Sequence, residues 1–325
     1  MKNLFRIFIL ISILIPSTPL FACDPCSLYN ASRLLGHEEG SFTLSISEQY
    51  TRFKSVEDSL RPRDGEIGRD FSVTQLAISY DLLESLGIQL TLPLLYRTFD
   101  TYSRFTPSRD SEFGIGDGVV SLNYTPLTYR TGEWLSLLNF SFGIKLPTGD
   151  TGSLGNIPSL SEDLLTRHAQ TKHHPVSGAL GGRALSLGSG STDFLFGISY
   201  LTRFKRLLFI ASAQYSHRNK GSFDYTFGND LVWSIGPGYY VYVKEDFSFA
   251  LRGVLSGEYK EKDTFESNRV ARSGINNTYV GPEAILTIGD QMVLDVGIDA
   301  LVSDGNTDSL IVPDFRVRSG VSYRF

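Results

Sequence analysis

The chain has 325 residues, enough for one large domain or two ordinary ones, with 41% hydrophobic content and a formal net charge of -5. The acidic balance argues against nucleic acid as a partner, and beyond the N-terminus no apolar run approaches the roughly 18 residues of a membrane helix. Two Cys and two Met against 16 Tyr, 22 Phe and 31 Gly suit an all-β protein made outside the cytoplasm.

Residues 1–22 have the form of a signal peptide. Lys2 and Arg6 give a positive start, Leu4 to Ile15 an apolar run, and Ala22 a small residue before the cut. The run is short for an anchor and breaks at Pro16 and Pro19. Its removal takes away two positive charges and carries the formal charge from -5 to -7.

Residues 23–40 form an expected periplasmic tail that opens on "CDPC". Cys23 and Cys26 admit three readings: a lipid anchor on Cys23, a redox or metal pair, or an incidental short disulfide. Ser27 stands where haem attachment needs histidine, which excludes that motif. Leu28, Ala31, Leu34 and Leu35 fall at helical spacing and predict a short helix, marginal without packing partners.

From Ser41 onward about twelve segments alternate, each near the 9–11 residues of a tilted membrane strand or slightly longer. "GIQLTLPLLYR" puts Ile88, Leu90, Leu92, Leu94 and Tyr96 opposite Gln89, Thr91, Pro93 and Arg97. In "WLSLLNFSFGIKLP" Trp134, Leu138, Phe140, Phe142, Ile144 and Leu146 oppose Asn139, Ser141, Gly143 and Lys145. A later segment sets Leu231, Trp233, Ile235, Tyr239, Val241 and Val243 against Ser234, Gly236, Gly238, Tyr240 and Tyr242. The last, "FRVRSGVSYRF", sets Phe315, Val317, Ser319, Val321, Tyr323 and Phe325 against three arginines, Gly320 and Ser322.

Connections alternate as well. Short turns are expected near Leu83–Ser85, Phe204–Arg206, Lys244–Asp246 and Gly289–Gln291, with a longer one near Leu127–Glu133. Long polar links are expected at Lys54–Arg69, Phe99–Glu112, Thr148–Gly190, Asn219–Asn229, Glu261–Gly274 and Asp304–Asp314. This pattern predicts an all-β fold: a transmembrane antiparallel up-and-down β-barrel over 41–325, with short periplasmic turns and long extracellular loops.

A soluble sandwich would bury the apolar face and expose the charges, so charge alone does not decide between the two. The export signal, strand lengths, uneven loops and aromatic strand ends favour the barrel. Its polar face then lines the lumen. The residues expected there are Asp117, Lys145, Arg252, Glu258, Asp295, Asp299, Arg316, Arg318 and Arg324, with Asp193, Arg218 and Glu283 of the same character. Were Arg252, Arg316, Arg318 and Arg324 to cluster, small anions would be favoured.

Two further features bear on chemistry. "RHAQTKHHP" holds His168, His173 and His174, weak metal candidates whose spacing matches no helix-borne zinc motif. A solvated loop is the simpler reading. Ser216 and His217 are adjacent in a strand, so they face opposite sides and cannot form a hydrolytic dyad.

"FGIGDGVVSLNY" (Phe113–Tyr124), "FGIKLPTGD" (Phe142–Asp150) and "LGSGSTDFLFGISY" (Leu187–Tyr200) resemble the signatures of the outer-membrane barrel transporters labelled "MetA-pathway of phenol degradation". By pattern the likeness runs from about Ser41 to Phe325. It implies passage of small molecules, aromatic or hydrophobic ones among them. The glycines also have a physical reading, as places where a strand bends or another backbone comes close.

The sequence thus points to a channel or transporter for passive uptake or efflux in a bacterial outer membrane. It is expected to be no enzyme, to use no cofactor and to be a monomer in lipid. The C-terminal Phe325 resembles the signal read by the outer-membrane assembly machinery. The alternative is a non-conducting scaffold or binding protein, using the CxxC tail or the histidine loop for a metal or partner.

Overall fold

The computed structural model describes residues 37–55, 69–102, 107–156, 186–270, 273–305 and 311–325. The signal peptide, Cys23, Cys26, the expected short helix and the histidines 168, 173 and 174 lie outside these residues.

Period-two alternation becomes strand throughout. In chain order the strands are β1 (Phe42–Ser55), β2 (Arg69–Leu83), β3 (Leu86–Tyr102), β4 (Pro107–Ile115), β5 (Val119–Arg130), β6 (Trp134–Lys145), β7 (Asp193–Phe204) and β8 (Leu207–His217). They continue as β9 (Tyr225–Thr226), β10 (Asp230–Lys244), β11 (Phe247–Lys260), β12 (Thr264–Phe265) and β13 (Asn268–Arg269). The last three are β14 (Ile275–Ile288), β15 (Met292–Ser303) and β16 (Ile311–Arg324).

Each long strand pairs antiparallel with its sequence neighbours, and β1 pairs with both β2 and β16, so the sheet closes on itself. Closure satisfies the backbone of every stave and removes the sheet edges, the condition for crossing hydrocarbon with strands. β4 and β5 are one stave in two pieces. β5 pairs with the first part of β3 (Leu86↔Tyr124 to Thr91↔Val119) and β4 with the rest (Leu94↔Ile115 to Tyr102↔Pro107). The result is a twelve-stranded antiparallel barrel.

The burial pattern answers which face is inside. Leu44, Ile46, Ile78, Leu90, Phe140, Ile198, Leu251 and Val296 are exposed, while Thr43, Ser45, Asn139, Gln214 and Ser322 are buried. A band of exposed Leu, Ile, Val and Phe running around the wall far exceeds the apolar patches of about a few hundred Å² that soluble monomers show. Aromatic pairs edge the band near the short turns: Phe42–Tyr80 with ring centroids 4.5 Å apart, Trp134–Phe204 at 5.5 Å and Tyr323–Phe325 at 4.8 Å. Tyr50–Phe315 (5.6 Å) and Tyr96–Phe113 (6.3 Å) edge the other side. Girdles at both rims belong to a barrel in a bilayer. The Phe325 amide donates to the Phe42 carbonyl at 2.8 Å, so the last residue fastens the seam to β1.

Three expectations change. Phe99–Glu112 is mostly a hairpin, with Phe99↔Asp110 and Asp100↔Arg109 in register. Its polar residues read as loop because a strand rising past the membrane band no longer needs an apolar face. β5 runs through Arg130, leaving a short turn where a longer one was expected. Tyr242 faces outward, because a bulge between Tyr240 and Tyr242 flips the phase of β10. Its ring then meets Phe247 at 5.5 Å in the girdle.

At the long-loop end, β9, β12 and β13 form a small second sheet. Leu154, Tyr225 and Phe227 are buried beneath it, with Phe265 and Val270 packed against them. Asp263 organises this cap, accepting from the Tyr225 hydroxyl (2.5 Å) and the Gly228 amide (2.8 Å) and pairing with Lys260 (2.8 Å).

Candidate functional site: the lumen and a break in the wall

The inward side chains of β11, β14, β15 and β16 carry charge in matched pairs. Arg252 Nε lies 2.5 Å from Glu283 Oε2, both side chains only 1% exposed. Arg318 takes Asp299 in a two-pronged grip, Nε to Oδ2 at 2.8 Å and Nη2 to Oδ1 at 3.0 Å. Arg316 Nη2 donates to Glu258 Oε2 at 2.6 Å and to the Tyr279 hydroxyl at 2.8 Å, while its guanidinium carbon lies 3.8 Å from the Tyr279 ring centroid. Glu258 also accepts from the Tyr279 hydroxyl (2.5 Å) and from Asn277 Nδ2 (2.9 Å). Asp295 is buried on the same face, and a Cβ on Gly320 would fall 2.5 Å from its Oδ1. At the short-turn end Arg324 lies 3.4 Å from Glu38 and donates to the Asp290 carbonyl at 2.7 Å.

Register explains one pair directly, since Arg252 and Glu283 are opposed on β11 and β14. Arg318, opposite Gly297, reaches diagonally to Asp299, and Arg316, opposite Asp299, reaches instead to Glu258 on β11. The arginines therefore make no unopposed cationic ring, because each meets a carboxylate within 3.4 Å. Fixed charges that cancel locally leave little field along the passage. Bilayer recordings in a salt gradient should accordingly give a reversal potential near zero; strong anion preference would contradict the pairing.

A second network stands at the long-loop end, where the wall is interrupted. β6 and β7 end together at Lys145↔Asp193, but β3 and β4 continue past that level. Beyond Gly116 the second edge of β4 pairs with no other strand among the described residues. The two stems of the long β6–β7 loop fill the space. The Thr148 hydroxyl accepts from the Gly118 amide (2.7 Å) and donates to the Gly116 carbonyl (3.1 Å). The Asp150 carbonyl accepts from the amides of Leu187 (3.1 Å) and Gly188 (2.8 Å), tying the outgoing stem to the returning one.

Asp117, in the break itself, holds both stems. Its Oδ1 accepts from the Gly149 amide (3.0 Å), and its Oδ2 from the Ser189 amide (2.9 Å) and hydroxyl (2.7 Å). Lys145 Nζ lies 2.9 Å from Asp117 and 2.6 Å from Asp193. Asp193, 0% exposed, also meets Arg218 Nη1 at 3.2 Å, and Arg218 reaches Asp230 at 2.7 Å. One chain of alternating charges thus joins the break to β6, β7, β8 and β10.

Glycine makes the contact close. A Cβ on Gly188 would fall 2.4 Å from the Gly149 carbonyl oxygen, and one on Gly149 would fall 2.8 Å from Gly188 Cα. Both approaches are to backbone, which cannot swing away. Leu187 tucks behind β4 against Val73 and Leu95, where Gly114 leaves room: a Cβ there would lie 2.7 Å from Leu187 Cδ1. Outside, Phe113 and Ile115 are 69% and 54% exposed. The three motifs that carry the family resemblance therefore meet at one place. The sequence allowed these glycines either strand bending or close approach of another backbone, and gave no sign of Asp117 as their common acceptor.

Ser216 is buried and His217 exposed on opposite faces of β8. Among the described residues no cluster of three or more His, Cys, Asp or Glu is arranged to hold a metal.

No family model and no curated protein matches the chain. Among solved structures, the COG4313 outer membrane channel from Pseudomonas putida F1 superimposes with a TM-score of 0.60 at 13% identity, covering 94% of this chain and all of that one. The P. putida toluene transporter TodX gives 0.42 at 10% identity, with 95% of each chain covered. The β domain of the Bordetella autotransporter BrkA gives 0.46 at 9%, covering 88% of this chain and 100% of that one. Of these three, the first alone is close enough to bear on the fold. The chain has the fold of an outer-membrane channel.

Proposed function

We propose that this protein sits in the bacterial outer membrane as a passive channel for small apolar molecules, monoaromatic compounds among them, and that the break beside β4 is their way through the wall. The observation that carries the reading is the unpaired edge of β4 at the upper rim of the membrane band, stoppered by loop stems rather than by a strand. Apolar side chains line both sides: Val73, Leu95 and Leu187 within, Phe113 and Ile115 without. A solute entering the lumen beneath the loop would meet Leu187 and, with the stems displaced, pass sideways into lipid. Water-soluble solutes gain nothing from that route. The lumen wall they would pass carries buried ion pairs whose rupture is costly. The resemblance to the phenol-pathway barrels supports the same solute class.

The test is flux through purified protein in liposomes. A small monoaromatic such as toluene should equilibrate faster than in empty vesicles, while a sugar of similar size should show little acceleration. Equal rates with and without protein for both solutes would replace the channel with a non-conducting scaffold. Fast sugar flux alone would make it an aqueous pore.

A further inference from the structure

The outward face holds one row that does not fit a lipid surface. Reading across β16, β1 and β2, the register stacks Tyr323–Leu44–Ile78, then Val321–Ile46–Leu76, then Ser319–Glu48–Thr74, then Val317–Tyr50–Ser72. The third row is polar in all three positions, and Val296 on β15 and Leu94 on β3 bound it on either side. It lies three rows above the Phe42–Tyr80 girdle, about 15 Å along the normal for strands tilted near 40°. Glu48 therefore faces lipid one row below the upper girdle at Tyr50 and Phe315.

The neighbouring strand has adjusted to this carboxyl group. Ser72 donates its hydroxyl to Glu48 Oε1, and Thr74 donates to Oε2 at 2.5 Å. A carboxylate has about four acceptor sites, and these two bonds use half of them. Acyl chains can supply no donor for the others.

We propose that the β16–β1–β2 face is the contact between two copies of this chain in the membrane, with Glu48 hydrogen-bonded across it. The row is self-complementary: it holds an acceptor on β1 and a hydroxyl on the adjacent β16. A two-fold axis along the membrane normal keeps both copies at the same depth and sets Glu48 beside Ser319 of the partner subunit, and the reverse. Ile46, Leu76, Val317 and Val321 around the row present branched apolar surface for packing. At the rim Arg52 and Asp70 lie 3.9 Å apart within one copy. This dimer differs from the monomer expected from sequence. It rests on the barrel lying in a bilayer, as proposed above, but on nothing about the solute or the wall break.

The experiment is site-directed cross-linking in outer-membrane vesicles of cells making the full chain, with Cys23 and Cys26 replaced by serine. Ile46→Cys should give a dimer of this chain with a short bismaleimide, whereas Tyr215→Cys, on the outward face of β8, should not. Adding Glu48→Leu should lower the Ile46→Cys dimer yield at least tenfold, with Glu48→Gln intermediate because an amide still accepts. Both variants should keep the heat-modifiable band of a folded barrel, since the site faces outward. Three results would each overturn the proposal: Ile46→Cys yield no greater than Tyr215→Cys, a yield indifferent to Glu48→Leu, or a product with a different protein. Absence of the protein from the membrane fraction would instead overturn the location on which it rests.

Discussion

Asp117→Ala is expected to increase flux of monoaromatic solutes and to make the stems of the β6–β7 loop, 146–156 and 186–192, more accessible to protease in intact vesicles. The substitution deletes three hydrogen bonds that arrive from both loop stems, and one of the two carboxylates around Lys145. Hydrogen bonds to a charged acceptor contribute about 1.5–3 kcal/mol each in low dielectric, though not additively. Lys145 keeps Asp193, so the net cost falls on the seated loop rather than on the barrel. A loss of roughly 3 kcal/mol corresponds to about a hundredfold shift toward the displaced loop. Flux in liposomes and cleavage rate should rise together, with the heat-modifiable band unchanged. A variant that conducts and digests like the parent would remove Asp117 from its holding role.

Arg316→Leu is expected to destabilise the barrel itself. It leaves Glu258 buried with its hydroxyl and amide donors but without a counter-charge, and it strips the cation from the Tyr279 ring. Breaking one side of a buried pair costs about 3–5 kcal/mol, because the survivor stays desolvated. The temperature at which the folded band converts to the unfolded one in detergent should drop markedly. The double variant Arg316→Leu with Glu258→Leu should recover much of the loss. Equal stability of single variant and parent would mean that water reaches Glu258 and that the interior is wetter than its burial implies.

Much of the architecture is legible in sequence because period two is a local property. Ile88 to Tyr96 and Phe140 to Ile144 announce their face whatever surrounds them, and the alternation of short and long links orders the staves. Local pattern fails where a strand leaves the bilayer, as at Phe99–Glu112, and where a bulge resets the phase, as at Tyr242. The candidate site was legible in composition but not in connection. Asp117, Lys145, Arg252, Glu258 and the terminal arginines stand out as charges on a polar face. Their neutralisation is set by contacts between segments distant in sequence, such as Arg252 with Glu283, 31 positions apart, and Arg316 with Glu258, 58 apart. Asp117 and Ser189 are 72 residues apart, with a long loop between them, and nothing in either motif names the other. Glu48 escapes notice for a different reason. One acid in an alternating segment resembles an inward residue until the register puts it on the lipid side.

The central claim is that small apolar solutes leave sideways, between β4 and the stems of the long loop. The direct test joins the two: Gly114→Cys with Leu187→Cys in the protein lacking its native cysteines, positions where a Cβ and a side-chain atom lie 2.7 Å apart. Oxidation should abolish toluene flux in liposomes and reduction should restore it, with the barrel folded throughout. Toluene flux that continues unchanged with the bond closed would contradict the account and return the passage to the lumen axis.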